Sequence, residues 1–247
     1  MASPIVEVSE LRKGFETGPV LQGVSFALSK GETLVVMGGS GSGKTVLLRL
    51  VAGLIRPDGG RIRVFGQSIE GLAEDDLLPI RRRMGYVFQG AALFDSLSVH
   101  ENVAYPLREH TDLGDDAIRE RVVRFLSLVG LAADVLPLLP AELSGGMRKR
   151  VGIARALIGE PAMLLFDEPT AGLDPTNARL VAELIAQLHT GVCDTAIVVT
   201  HDLELTKTVA DRVAILIDGR FAALGPLDAV LSASGPAVQA FLSGEAR

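Results

Sequence analysis

The chain has little cysteine. Cys193 is the only one, so the fold cannot rest on an internal disulfide, and a reducing cytosolic setting is the simplest reading. Cys193, just before an apolar run, reads as a small core residue. Positive charge is not in excess either: 24 Lys and Arg face 30 Asp and Glu, a net charge of −6. That balance argues against a general electrostatic grip on nucleic acid, which needs a clustered basic surface. The two short basic runs, Arg81 to Arg83 and Arg148 to Arg150, read as solvated or phosphate-facing. The opening MASPIVEVSELRK carries acidic residues where an export signal needs an apolar stretch, so export is not expected. The longest apolar tract, Phe125 to Leu139, is broken by Asp134 and proline and falls short of the roughly 20 residues a spanning helix needs. Any role at a membrane therefore runs through a partner. Internal repeats, low-complexity segments and heptad runs of coiled-coil length are also missing.

What is present is a chain of 247 residues, 48% hydrophobic, long enough for one large core. One globular unit is expected. Ile5 to Val8, the pair Val20 and Leu21, and Val24 to Leu28 are short β-rich pieces punctuated by glycines, which suits an antiparallel layer. TLVVMGG, Thr33 to Gly39, follows as a buried strand ending in glycines, and the helix-like KTVLLRLVAGL comes directly after. Three more apolar runs, Ala162 to Phe166, Ala196 to Thr200 and Val213 to Ile217, alternate with helical segments such as Asn177 to His189. Their hydrophobicity is continuous, which predicts strands buried on both faces of a parallel sheet. From Ser98 to Ile158 the pattern turns helical, with Ile118, Val122, Phe125 and Val129 at helix spacing between Asp115 and Val129. This predicts a helical insertion in an α/β core.

Gly38, Gly39, Ser40, Gly41, Ser42, Gly43, Lys44 and Thr45 read GGSGSGKT, matching the phosphate-loop pattern at every defined position. Glycines let the backbone wrap with its amides inward, the next helix offers its positive end, and Lys44 reaches the β- and γ-phosphates. Thr45 offers a hydroxyl to Mg²⁺. MLLFDE, Met163 to Glu168, sets two carboxylates where a buried strand ends, the place ligands occupy in open α/β sheets. Asp167 suits a magnesium ion held through water, and Glu168 suits the polarising of an attacking water. Neighbours on a strand point opposite ways, so the two can divide these tasks only if the strand stops there, as Pro169 indicates. An isolated Asp-Glu pair is commonly a plain surface feature; beside an intact phosphate loop it is read as chemistry. His201 and Gln89 each follow an apolar run and are unremarkable alone. In this company they are candidates for the γ-phosphate and for the metal and water. Ser144, Gly145 and Gly146 open a helix from about Met147 to Ile158, a second site with amides and a dipole turned toward an anion.

These residues occur in the order of the ATP-binding cassette (ABC) ATPases, which the chain resembles over nearly its whole length: GGSGSGKT, Gln89, LSGGM at Leu143 to Met147, LLFDEP ending at Pro169, AGLDP at Ala171 to Pro175, and His201. The resemblance implies a P-loop NTPase (RecA-like) α/β core, about 1–89 and 159–225, with an N-terminal antiparallel β layer. It also implies an inserted α-helical subdomain at about 90–158 and a helical tail at about 226–247. It implies ATP and Mg²⁺ as cofactors and hydrolysis in a head-to-tail dimer of two copies, each second site closing on the partner's nucleotide. Residue by residue, Phe15 takes the place of the adenine-stacking aromatic, where tyrosine is more usual and where a phenylalanine could equally be core. Lys44 binds phosphate, Thr45 and Gln89 meet Mg²⁺, and Glu168 is the catalytic carboxylate. Asp174 lies in the loop crossing between subunits, and His201 is the switch histidine.

Met147 stands where glutamine usually ends the signature, GAALFDSLSVHENVAYPLREHT follows Gln89, and the sequence closes on GPAVQAFLSGEAR. Together these resemble the MlaF-type ATPases of bacterial phospholipid transport. That resemblance implies an MlaE-type permease, an MCE-domain lipid-binding protein and room for a STAS-domain subunit, with the ATPase peripheral on the cytoplasmic face of the inner membrane. Two alternatives stand beside it: the ATPase of an amino-acid or metal-ion importer, and a soluble cassette protein without a permease.

Overall fold

A computed structural model of the chain describes residues 3–233 and 235–243. Met1, Ala2, Ser234 and residues 244–247 lie outside the described residues, including the last part of the expected tail. In chain order the elements are β1 (Val6–Phe15), β2 (Gly18–Leu28), β3 (Thr33–Met37), α1 (Lys44–Val51), β4 (Gly59–Val64), β5 (Gln67–Ser68), α2 (Glu74–Arg81) and β6 (Met84–Val87). Then come α3 (Val99–His110), α4 (Asp115–Leu128), α5 (Gly145–Leu157), β7 (Met163–Asp167) and α6 (Pro175–Gly191). The last are β8 (Ala196–Thr200), α7 (Leu203–Val209), β9 (Arg212–Ile217), β10 (Arg220–Pro226), α8 (Leu227–Ala233) and α9 (Pro236–Leu242). The chain divides into two compact units, one running up to Arg81 and resuming at Asp194, the other spanning Arg82–Cys193.

The first unit holds two sheets. One is antiparallel, in the order β2-β1-β4-β5. The β-rich pieces at Val20 and Val24 belong to a single strand, β2, because Gly23 at φ +98 bends it without ending it. In the other, β3 pairs in parallel with β8 on one side and β9 on the other, and β10 closes the far edge antiparallel to β9. Every residue of β3 and of β8 is buried, as their unbroken hydrophobicity predicts.

The second unit pairs β6 and β7 in parallel and carries α3 to α6. Its expected helices appear with small shifts at their ends: α4 begins at Asp115, and α5 begins at Gly145 with Ser144 as its N-cap, the serine hydroxyl accepting from the Met147 amide at 3.2 Å. Cys193 is buried, as expected. Helix α3 starts with a capping box. The Ser98 hydroxyl accepts from the Glu101 amide at 3.2 Å, and the Glu101 carboxylate accepts from the Ser98 amide at 2.8 Å.

The preceding loop is held from inside that helix. Asn102 has no exposed surface. Its Nδ2 donates to the carbonyls of Phe94, Leu97 and Ser98 at 3.1, 2.9 and 3.1 Å, and its Oδ1 accepts from the Phe94 amide at 2.8 Å. Asn102→Ala removes both sides of this network and leaves the loop's polar groups unmatched. We expect a loss of roughly 3 kcal/mol, read as a lower denaturant midpoint; a change below about 0.5 kcal/mol would contradict the assigned role.

Candidate functional site

The phosphate loop leaves the end of β3. The pairing of β3 with β8 ends on Met37 opposite Thr200, so Gly38 and His201 are the next residues of two adjacent parallel strands. His201 is exposed there. Gly41 and Gly43 have φ of +77 and +104, conformations side chains rarely take. At Gly43 space is also lacking: a Cβ would lie 2.9 Å from Val20 Cγ1 and 3.0 Å from Leu21 Cδ2. Around Gly39 and Gly41 nothing lies within 4 Å of such an atom, which leaves that side of the loop open to a ligand. Lys44, buried in the first turn of α1, donates from Nζ to the carbonyls of Gly38 at 2.8 Å and Gly39 at 3.0 Å. Its cation is thus held over the loop. Thr45 follows, half-buried, and Ser42 Oγ is buried without a hydrogen-bond partner among the described residues. A backbone cradle with a positive helix end and a fixed ammonium fits a polyphosphate.

Phe15 ends β1 and is 50% exposed, so it is not a core residue. The Lys13 ammonium stands 5.4 Å from its ring centroid. The ring borders a cleft of about 710 Å³ lined also by Arg12, Leu21, Asp58 and Arg220. Leu21 is the same side chain that closes on Gly43, which joins the cleft to the phosphate loop.

In the second unit the pairing of β6 with β7 ends on Val87 opposite Phe166, and β7 runs one residue further, to Asp167. Asp167 is 3% and Glu168 7% exposed. The Tyr86 hydroxyl donates to Asp167 Oδ2 at 3.4 Å. Glu168 has φ +46, so the chain turns sharply at the strand end and the two neighbouring carboxylates are freed from strand alternation. Gln89 is exposed, two residues beyond β6. Its carbonyl accepts from Lys149 Nζ, which also donates to the Glu168 carbonyl at 3.2 Å.

That lysine corrects the reading of Arg148 to Arg150 as solvated or phosphate-facing. Lys149 is only 6% exposed, because it lies on the inner face of α5 where backbone carbonyls receive its charge. Burial holds its pKa below the ordinary lysine value, while the negative charges of Glu168 and Asp167 pull it up. Arg81 departs in the same way, donating to the carbonyls of Ala52 at 3.3 Å and Gly53 at the end of α1.

Of the second glycine site, Ser144 is exposed, while Gly146 packs so closely that a Cβ would stand 2.5 Å from Asn177 Oδ1. Asp174 caps α6, its carboxylate accepting from the amides of Thr176 and Asn177 at 3.1 Å each and from Asn177 Nδ2 at 2.6 Å. The Asn177 side chain, then the backbone amides, hold the Asp174 carboxyl below its usual range. The fold therefore collects Phe15, the phosphate loop, Thr45 and His201 in one unit, and Gln89, Ser144 to Gly146, Asp167, Glu168 and Asp174 in the other.

Residues 21–171 match the ABC transporter family. The chain belongs to that family. This cassette is 38% identical, over 97% of its length, to the probable ribonucleotide transport ATP-binding protein mkl of Mycobacterium tuberculosis, and spans 66% of that relative. It is 40% identical over 91% of its length to the intermembrane phospholipid transport system ATP-binding protein MlaF of Escherichia coli, covering 83% of it. Identity of 40% over 92% of the chain extends to the methionine import ATP-binding protein MetN of Mesorhizobium japonicum, of which the cassette spans 62%. Its fold superimposes on the dimeric ATP-binding cassette MJ0796 bound to ADP and Pi with a TM-score of 0.84 at 31% identity, over 90% of this chain and 98% of that one. The expected α/β core with an antiparallel layer and inserted helices is thus that of a cassette ATPase. Among the described residues no helix is long and apolar enough to cross a membrane.

Two substitutions separate the loop's backbone from its side chains. Ser42→Ala replaces an unpartnered buried hydroxyl, so we expect stability to rise by on the order of 1 kcal/mol with ATP affinity within about twofold. Gly43→Ala forces a Cβ into β2 at positive φ, and should lower stability by about 2 kcal/mol and abolish measurable ATP binding. Titration with a fluorescent ATP analogue beside thermal unfolding checks both; normal binding by Gly43→Ala would contradict the geometry.

Proposed function

We propose that this cassette hydrolyses ATP to drive a bacterial transporter that moves phospholipid between the inner and outer membranes. The observation that carries the ATPase half is the phosphate loop itself, a glycine cradle open on one side with Lys44 fixed over it. The phospholipid half rests on the MlaF-like signature LSGGM and the segment after Gln89, together with 40% identity that extends over 83% of MlaF.

In this reading the amides of Gly39 to Lys44 and the Lys44 ammonium hold the β- and γ-phosphates, and Phe15 stacks on the adenine. Thr45, Gln89 and Asp167 would hold Mg²⁺, which when bound offsets charge on the phosphate oxygens. Magnesium commonly takes only one or two carboxylates and fills its remaining positions with phosphate and water. The hydroxyl of Thr45, the amide oxygen of Gln89 and the carboxylate of Asp167 are oxygen donors of the kind such a site takes. Glu168 polarises the attacking water, and His201 touches the γ-phosphate. Ser144, Gly145 and Gly146 close on the nucleotide of a second copy, and Asp174 lies in the loop between the copies. Residues 1–89 and 159–225 act as the nucleotide-binding core, 90–158 as the helical part that meets the permease, and 226–247 as a tail.

The partners are an MlaE-type permease, an MCE-domain protein and a STAS-domain subunit, with the cassette peripheral on the cytoplasmic face. Nucleic acid is not a partner in this scheme. The similarity to MetN favours a second reading, an amino-acid importer. Affinity purification from membranes distinguishes them: recovery with a permease and an MCE protein is expected, and recovery with a solute permease and no MCE protein would exclude the lipid reading.

Glu168→Gln should slow turnover by about a hundredfold or more while leaving ATP binding intact and favouring a closed dimer; unchanged turnover would remove Glu168 from its role. Lys44→Ala should instead weaken binding, because it deletes a charge-assisted phosphate contact. Met147→Gln should keep or raise activity, and a complete loss would give the methionine a role of its own.

A further inference from the structure

The second glycine site stands at the start of α5, and the same helix reaches inward to two loops of its unit. Lys149, Gly152 and Ala156 fall on one face, spaced three and four residues apart. Gly152 keeps that face flat, since a Cβ there would meet Ala91 Cβ at 3.1 Å and its Cα at 3.3 Å. Gly85 of β6 answers with its own missing side chain, as a Cβ there would stand 2.5 Å from the Ala156 carbonyl. Helix and loop are therefore pressed backbone to backbone. On either side of this contact a cation crosses: Lys149 to the carbonyls of Gln89 and Glu168, and Arg155 to the carbonyls of Ala91 at 2.7 Å and Ala92 at 2.8 Å.

The backbone that these cations grip is unusual. Ala91, Ala92 and Glu168 have φ of +61, +46 and +46, all in the left-handed region without being glycine. Each such residue is disfavoured and persists only where its surroundings hold it. A buried ammonium is held equally firmly in return, because without acceptors it would lie unsolvated. We propose that Lys149 is a positioning residue whose ammonium ties the backbone at Gln89 and at Glu168 to α5, so that the helix opened by Ser144 sets the placement of both side chains.

This rests on the roles given to Gln89 and Glu168 in the proposed function. It differs from a packing role in what it moves: in the proposed function the phosphates are held chiefly by the other unit's phosphate loop, with Gln89 giving only one of several metal contacts, so loss of the tether should fall on turnover far more than on affinity. For Lys149→Met in the full chain with its membrane partners, kcat is expected to fall about tenfold or more, KM for MgATP to stay within about twofold, and Lys149→Arg to restore at least half of the rate. Hydrogen exchange, read without any turnover, should quicken at residues 88–92 and 168–171 and remain unchanged in α4.

Unchanged exchange in those two segments would overturn the proposal, as would a fall in kcat matched by an equal rise in KM, or exchange quickened throughout the unit. If Lys149→Met does not fold, Lys149→Gln is read in the same way. An unsubstituted chain that hydrolyses no ATP would overturn the proposed function, and the exchange pattern would still decide whether the tether exists.

Discussion

Strands β3, β7 and β8 are buried at every residue, and a strand without a solvated face can present polar chemistry only at or beyond its last position. The arrangement of candidate residues follows from that constraint. In the first unit the parallel register makes β3 and β8 stop together, so the phosphate loop and His201 emerge side by side. In the second, β6 and β7 stop within one residue of each other, and the same rule brings Gln89 near the backbone of Glu168. Hydrophobic burial fixes where the strands end; the chemistry then occupies the ends.

That is also why so much could be read in advance. A strand buried on both faces writes itself into the sequence as an unbroken apolar run, and a backbone phosphate cradle needs glycine at positions that few other residues tolerate. Gly43 shows the second case, being constrained both by φ and by the packing of Val20 and Leu21. Asp167 and Glu168 were legible because a proline follows them. Lys149 was not, because its partners are carbonyl oxygens, which every residue carries and no sequence marks. Arg155 escaped for the same reason, and Asn102 did too: its four contacts are all to backbone. Cations that satisfy helix ends and loop carbonyls look in sequence like any solvated basic run.

The relatives are about equally identical to this chain over most of its length and differ in the transport named for them, phospholipid for one and methionine for another. A physical reason for that pattern is that the nucleotide constrains the strand ends in the same way whatever is carried. Differences in cargo must then be expressed in surfaces that meet a partner. Around α3, Phe94 and Tyr105 are both partly exposed with ring centroids 5.0 Å apart, beside a loop whose carbonyls Asn102 holds. A surface built on such a loop keeps its shape when pushed.

Rigidity of this kind matters to coupling between α5 and the loops it grips. A charge-assisted hydrogen bond inside a protein contributes about 1.5–3 kcal/mol, and breaking one where the ion stays buried forfeits at least that much. Lys149 makes two, to carbonyls on different loops, so a displacement of α5 that left either loop behind would be disfavoured by tenfold or more in population, by roughly 1.4 kcal/mol for each factor of ten. Left-handed backbone at Ala91, Ala92 and Glu168 sharpens the effect, since a loop released from its cation has a lower-energy conformation to fall into. The three segments therefore have two favourable courses, to move together or to come apart as a unit. A helix that carries two inward cations gripping separate loops makes any shift along its axis felt at both.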